Sequence, residues 1–182
     1  MLSDAMVNPA QHECAGMAHS RLLPPSLFHD SRRRNVGLIG GSFNPAHDGH
    51  LHMTMLARKI LGLDEIWWMV TPQNPLKPSE DMALLQNRLA YARKLVGKRT
   101  YIRVIAPELG ARNNYTFNTL NLLHKVAPRV NFVWIMGADN LIQFHKWHRY
   151  RDIVDRIPIA VIDRPGYSYA ALSFGRLILS RR

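Results

Sequence analysis

The sequence predicts a doubly wound α/β fold: one domain built on a single, mainly parallel sheet. Three observations predict it. Short apolar runs of strand length alternate with stretches in which apolar residues recur at helical spacing. Several of the runs are nearly continuous in Val, Ile, Leu, Met and Trp, as strands covered by helices on both faces require. Glycine stands at several of the junctions, where a strand must turn or a helix must stop.

The elements follow in order. Residues 1–34 show no sustained period and carry scattered Pro, Ser and His, so they are expected to form a disordered leader. Its basic end, Arg32-Arg33-Arg34, reads as a solubilising flank. The domain is expected over 35–182. A first strand, 36–39, ends in Gly40-Gly41. Helix 51–61 repeats Leu51, Met55, Leu56 and Ile60 on one side and stops at Gly62. Strand 65–70 leads to a proline-rich loop, 71–79. Helix 82–96 is closed by Gly97, and strand 100–105 follows. Then come helix 116–126, strand 130–136, helix 140–147, a short helix near Asp152 and a fifth strand, 157–162; segment 172–179 fits helix or strand. There is no internal repeat and no low-complexity tract.

Bulk properties narrow the function classes. A chain of 182 residues suits one domain, and 47% hydrophobic with 20% charged residues is the mix of a globular protein able to bury a core. The lone cysteine, Cys14, cannot form an internal disulfide, which points to a reducing compartment and a cytoplasmic location. No apolar run approaches the roughly 20 residues that span a bilayer, and 1–19 lack a secretory pattern, so no membrane role is expected. The net charge of +11 and a pI near 10.4 favour anionic partners. Charge alone does not separate a nucleotide enzyme from a nucleic-acid binder.

In parallel sheets of this kind, ligands bind beyond the carboxyl ends of the strands. That rim would hold three segments, 40–50, 71–77 and 137–140. The first reads Gly40-Gly41-Ser42-Phe43-Asn44-Pro45-Ala46-His47-Asp48-Gly49-His50. The two glycines would let backbone approach a bulky anion. A helix starting near Gly49 would aim free N–H groups and the positive end of its dipole at the same space. His47 and His50, three apart across that start, can both face one ligand and donate to phosphate oxygens. The segment therefore reads as a phosphate cradle with two donors for developing negative charge, which is most of what phosphoryl or nucleotidyl transfer asks of a protein. A zinc site wants three or four ligands, and only Asp48 accompanies the histidines, so no protein-held metal is expected. Neither a Walker loop nor a Gly-x-Gly-x-x-Gly fingerprint is present.

Residues 41–50 resemble the Gly-x-Phe-Asp/Asn-Pro-x-His-x-Gly-His signature of bacterial nicotinate-mononucleotide adenylyltransferases, members of the His-x-Gly-His nucleotidylyltransferase superfamily. The resemblance runs from about Asn35 onward and implies a Rossmann-like domain. It implies that His47 and His50 contact the ATP phosphates and stabilise the transition state, with Gly40, Gly41, Ser42 and Phe43 lining the nucleotide site. Gly137-Ala138-Asp139 is similar to a segment near the ATP ribose and adenine, so Gly137 and Asp139 are expected there. Asn74 and Lys77 resemble the loop that approaches the mononucleotide phosphate. Tyr115-Thr116 followed by Thr119-Leu120 resembles the motif whose threonine, here Thr116, helps hold the nicotinate carboxylate. Trp147 resembles the tryptophan that stacks on the pyridine ring, with His148 beside it. Arg164-Pro165-Gly166 matches a common segment after the fifth strand. Thr116 and Asp139 are also candidate helix caps, a role compatible with binding. His52, His124 and His145 have no motif support.

One departure stands out. The family's Ile-Ser-Ser-Thr-x-Ile-Arg segment, which opens a last helix and holds ATP phosphates, has no match before Leu179-Ser180-Arg181-Arg182. The domain is therefore expected to be incomplete at its carboxyl end. The resemblance implies adenylyl transfer from ATP, with Mg2+ accompanying the nucleotide, to nicotinate mononucleotide, one step before NAD. Rival readings are a nicotinamide-mononucleotide or phosphopantetheine substrate, or a non-catalytic relative that binds nucleotides or nucleic acid. Phosphopantetheine enzymes usually carry Thr where His47 stands, and a nucleic-acid partner is not the expectation.

Overall fold

The computed structural model describes residues 33–71, 82–106 and 115–162. The elements are β1 (Arg34–Gly41), α1 (Asp48–Leu61), β2 (Glu65–Val70), α2 (Leu85–Val96), β3 (Ile102–Ile105), α3 (Thr116–Val126), β4 (Val130–Gly137), α4 (Ala138–Gln143), a 3-10 turn (Phe144–Lys146), α5 (Tyr150–Arg156) and β5 (Ile159–Ile162). The five strands form one sheet in the order β3-β2-β1-β4-β5, and every pairing is parallel. The order reverses between β1 and β4, which opens the crevice where such sheets take their ligands.

Period two along each strand separates two cores. Val36, Leu38, Trp67, Met69, Phe132, Trp134 and Met136 face α3, α4 and α5 on one side. Ile39, Ile66, Trp68, Val70 and Ile135 face α1 and α2 on the other. At the amino edge of the sheet, Glu65 ties three strands together. Its carboxylate accepts from Arg34 Nη1 at 2.7 Å, Arg103 Nε at 2.6 Å, Arg103 Nη2 at 2.9 Å and Trp67 Nε1 at 3.0 Å.

Several boundaries differ from expectation. Strand β1 runs from Arg34 to Gly41 rather than over 36–39, so Arg34, expected in the leader, belongs to the sheet and pairs with Glu65, while β3 and β5 each start two residues late. Helix α1 begins at Asp48, three residues ahead of the apolar repeat at Leu51 and one ahead of the start expected near Gly49, because the extended His47 caps it and the polar residues that follow carry no apolar period. Helix α2 begins at Leu85 rather than at 82, after Leu84 in an extended conformation. The helix expected over 140–147 is α4 followed by the separate 3-10 turn, and Trp147 already lies in extended backbone. The segment 172–179 lies outside the described residues.

Candidate active site

Strand β1 delivers the loop 42–47 to the crevice, and Gly40 does so for a packing reason. A Cβ there would lie 2.5 Å from Trp134 Cη2 and 3.0 Å from Cζ2, so the missing side chain is the space the β4 indole occupies. At Gly41 a Cβ would meet nothing closer than Phe43 Cε2 at 3.7 Å. Gly41 O accepts from the backbone N–H of Thr71 at 3.0 Å and from its hydroxyl at 3.3 Å, which joins the ends of β1 and β2.

Phe43 turns the chain with a left-handed φ of 46°. Its ring is buried and stacks on Trp68 (centroids 5.1 Å, 21° between planes) and under His50 (4.7 Å, 35°). Trp68 is itself fixed by its Nε1–H, which donates to the buried Thr54 hydroxyl at 2.8 Å. The Phe43 ring thus forms a floor beneath His50 rather than an open surface for a ligand.

His47 and His50 come together as their spacing predicted. Their ring centroids lie 3.9 Å apart, with 46° between planes, at the positive end of the 14-residue helix α1. His50 Nδ1 accepts the backbone N–H of His47 at 3.2 Å. An acceptor Nδ1 puts the ring proton on Nε2, so the capping bond selects one tautomer of His50. His47 is exposed and His50 half-buried.

Arg88 is a residue that the sequence reading missed. It is only 3% exposed, and its guanidinium donates to Ala83 O at 2.8 Å, Ser42 O at 2.6 Å and Thr71 O at 2.8 Å. One side chain therefore stitches the loop after β1, the end of β2 and the approach to α2. Burial lowers its pKa from the usual arginine value. The signal was present: Arg88 lies on the apolar stripe Leu85, Leu89, Ala92, Val96 of α2, and a cation there demands partners. Asn44 adds a second pin, its Oδ1 accepting from Ala83 N–H at 3.2 Å.

On the far side of the crevice, Gly137 ends β4 and occupies the cap position of α4. Asp139 is the second residue of α4, two positions past the cap. Thr116 is likewise the first helical residue of α3 and not its cap, because the extended Tyr115 holds that position. Trp147 packs edge-on against Trp134 (5.8 Å, 86°) and Phe144 (5.2 Å, 64°). His148 stacks on Tyr115 (4.4 Å, 26°), which brings it next to Thr116. The structure thus gathers Thr116, Trp147 and His148 on the α3–α5 side of the sheet, and His47 and His50 on the α1–α2 side. Trp134 lies between Gly40 and Trp147. Asn74, Lys77 and Arg164-Pro165-Gly166 lie outside the described residues. His52 and His145 are exposed, and His124 packs edge-on against Phe132.

Comparison with known proteins gives a consistent answer. Residues 38–180 match the family described as cytidylyltransferase-like. A protein of Parvibaculum lavamentivorans named "Probable nicotinate-nucleotide adenylyltransferase" is 50% identical over 156 residues, covering 85% of this chain and 73% of the relative. One of the same name from Agrobacterium fabrum is 50% identical over 138 residues, covering 76% of this chain and 73% of its own. Among solved structures, the fold matches Plasmodium falciparum nicotinic acid mononucleotide adenylyltransferase complexed with NaAD, with TM-score 0.69 at 17% identity over 78% of this chain and 71% of that one. The same enzyme complexed with APC matches with TM-score 0.67 at 16% identity, over 78% of this chain and 70% of that one.

Proposed function

Because the chain belongs to the nicotinate-nucleotide adenylyltransferase family, within the cytidylyltransferase-like group, we propose that it transfers the adenylyl group of ATP to nicotinate mononucleotide. The products are nicotinate adenine dinucleotide and pyrophosphate, in NAD biosynthesis. The observation that supports this most is the imidazole pair 3.9 Å apart at the start of α1, with one ring held in the Nε2–H tautomer.

The chemistry follows from that geometry. A phosphate oxygen of the mononucleotide attacks the α-phosphorus of ATP. The new O–Pα bond forms as the bond from Pα to the bridging oxygen breaks, and pyrophosphate leaves with that electron pair. No covalent enzyme intermediate is needed. The His47 and His50 N–H groups donate to phosphate oxygens as charge builds on them, and the amide-rich helix start adds its dipole. Arg88 keeps Ser42 and the end of β2 in place beneath them. Gly40, Gly41, Ser42, Gly137 and Asp139 border the nucleotide. Thr116, Trp147 and His148 take the nicotinate ring, and Asn74 and Lys77 its phosphate.

Among the described residues, no group of three His, Cys, Asp or Glu side chains is placed to hold a metal. The donors at the site suit phosphate oxygens; magnesium, carried on the oxygens of ATP itself, would neutralise part of the phosphate charge there. No helix of the described residues is long and apolar enough to cross a membrane, and the lone cysteine agrees with a cytoplasmic enzyme.

The test is pyrophosphate release from ATP with nicotinate mononucleotide or its amide. The acid is the better substrate; equal or greater use of the amide refutes that specificity. A salt-steep affinity for RNA or DNA with no pyrophosphate release would instead favour a binding protein.

A further inference from the structure

Among the described residues, two that are not glycine adopt left-handed backbone: Phe43 (φ 46°) and Arg149 (φ 55°). A residue with a long side chain holds that conformation only where its surroundings over-determine it, and such residues cluster at functional sites. Phe43 lies in the histidine loop. Arg149 follows Trp147 and His148 directly.

The contacts made by the three consecutive residues 147–149 all fasten the same turn. Trp147 packs on Trp134 and Phe144, and His148 stacks on Tyr115. Arg149 places its guanidinium carbon 4.0 Å from the Phe117 ring centroid, while its Nε donates to Asp152 Oδ2 at 2.6 Å. Arg156 approaches the same ring at 5.2 Å. The Asp152 pair is half exposed and so contributes little on its own, whereas Phe117 is buried and gives the guanidinium a fixed partner. Tyr115 and Phe117 flank Thr116. Two ring contacts from adjacent residues therefore fasten the turn to the first turn of α3, one on each side of that threonine.

We infer that Arg149 is a positioning residue for the mononucleotide. Its left-handed turn and its hold on Phe117 keep Trp147 and His148 against Thr116, so that the aromatic wall and the threonine form one pocket. The inference rests on the proposed reaction for the identity of the ligand, but not for the clamp itself.

Arg149→Gly separates this role from a merely structural one. Glycine adopts the same backbone without strain, which offsets the lost ring contact, so the variant should melt close to the parent while losing the clamp. The KM for nicotinate mononucleotide should rise on the order of tenfold, as expected when an orienting group is misplaced. The KM for ATP should stay within about twofold, and Arg149→Lys, which keeps a cation for the ring, should recover most of the loss. An unchanged mononucleotide KM in Arg149→Gly, or an equal rise for both substrates, overturns the inference. Hydrogen exchange supplies a readout without turnover. Amides of 115–118 and 144–148 should exchange faster in Arg149→Gly than in the parent, and equal rates overturn the clamp. If the parent releases no pyrophosphate, the proposed reaction fails while the exchange result still decides the clamp.

Discussion

Gly40→Ala tests how the two halves of the site are joined. The added Cβ would lie 2.5 Å from Trp134 Cη2 and 3.0 Å from Cζ2, against an ordinary carbon–carbon contact of roughly 3.5–4.0 Å. The indole would have to retreat by about 1 Å to restore that spacing. It has little room to do so: Trp134 is 2% exposed, its ring edge meets Trp147, and its backbone N–H is bound to Pro158 O at 2.9 Å. Overpacking of this kind costs about 1–3 kcal/mol, and a domain of this size should lose about 2–4 °C of melting temperature per kcal/mol. Trp134→Phe removes the part of the indole that clashes. It also sacrifices no hydrogen bond among the described residues, where the buried Trp134 Nε1 has no partner. In that background the Gly40→Ala penalty should fall to within about 0.5 kcal/mol of zero, so the double-mutant cycle shows strong coupling. Urea and thermal unfolding of the four proteins measure it. An equal penalty in both backgrounds refutes the packing account. So does a Gly40→Ala variant as stable as the parent that loses only ATP affinity, because the glycine would then serve the close approach of the anion alone.

Arg88→Met leaves Ala83, Ser42 and Thr71 carbonyls without their guanidinium donor and should cost about 3 kcal/mol or more; Arg88→Lys should recover only part, since one ammonium cannot span the fork. Chemical denaturation reads both. Burial pushes the Glu65 pKa up, but the hydrogen bonds of Arg103 and Trp67 and the charges of Arg103 and Arg34 outweigh it and hold the group below its usual 4.5. The unfolded chain then takes up the proton first, so the stabilisation is complete above pH 4.5 and is lost as pH falls through the folded value. Urea midpoints measured against pH should show this acid loss in the parent and less of it in Glu65→Gln; identical acid limbs would rule out the carboxylate as its source.

Periodicity carried most of the fold. Residues 65–70 and 116–126 form the strand and helix expected of them to the residue, because their apolar patterns start and stop with the elements. The patterns failed where polar residues do the folding. His47, Asp48 and Gly49 begin α1 through backbone and imidazole bonds that no hydrophobic count registers. The adjacency of His47 and His50 was legible because it is local, set by a spacing of three at a helix start. The support beneath them was not. Phe43 meets Trp68, and Arg88 reaches Ser42 across 46 residues, only after the sheet brings β1 and β2 together. Gly40 shows the same limit: the glycine was evident, but the indole that fills its place comes from β4.

The most direct test of the central claim is the turnover number for pyrophosphate release at saturating ATP and nicotinate mononucleotide, in the parent and in His47→Ala and His50→Ala. Each substitution should lower kcat by about 10²–10³-fold while the protein stays folded, the loss expected when one donor to developing charge is removed. A folded variant of either kind that turns over at the parent's rate would contradict the account.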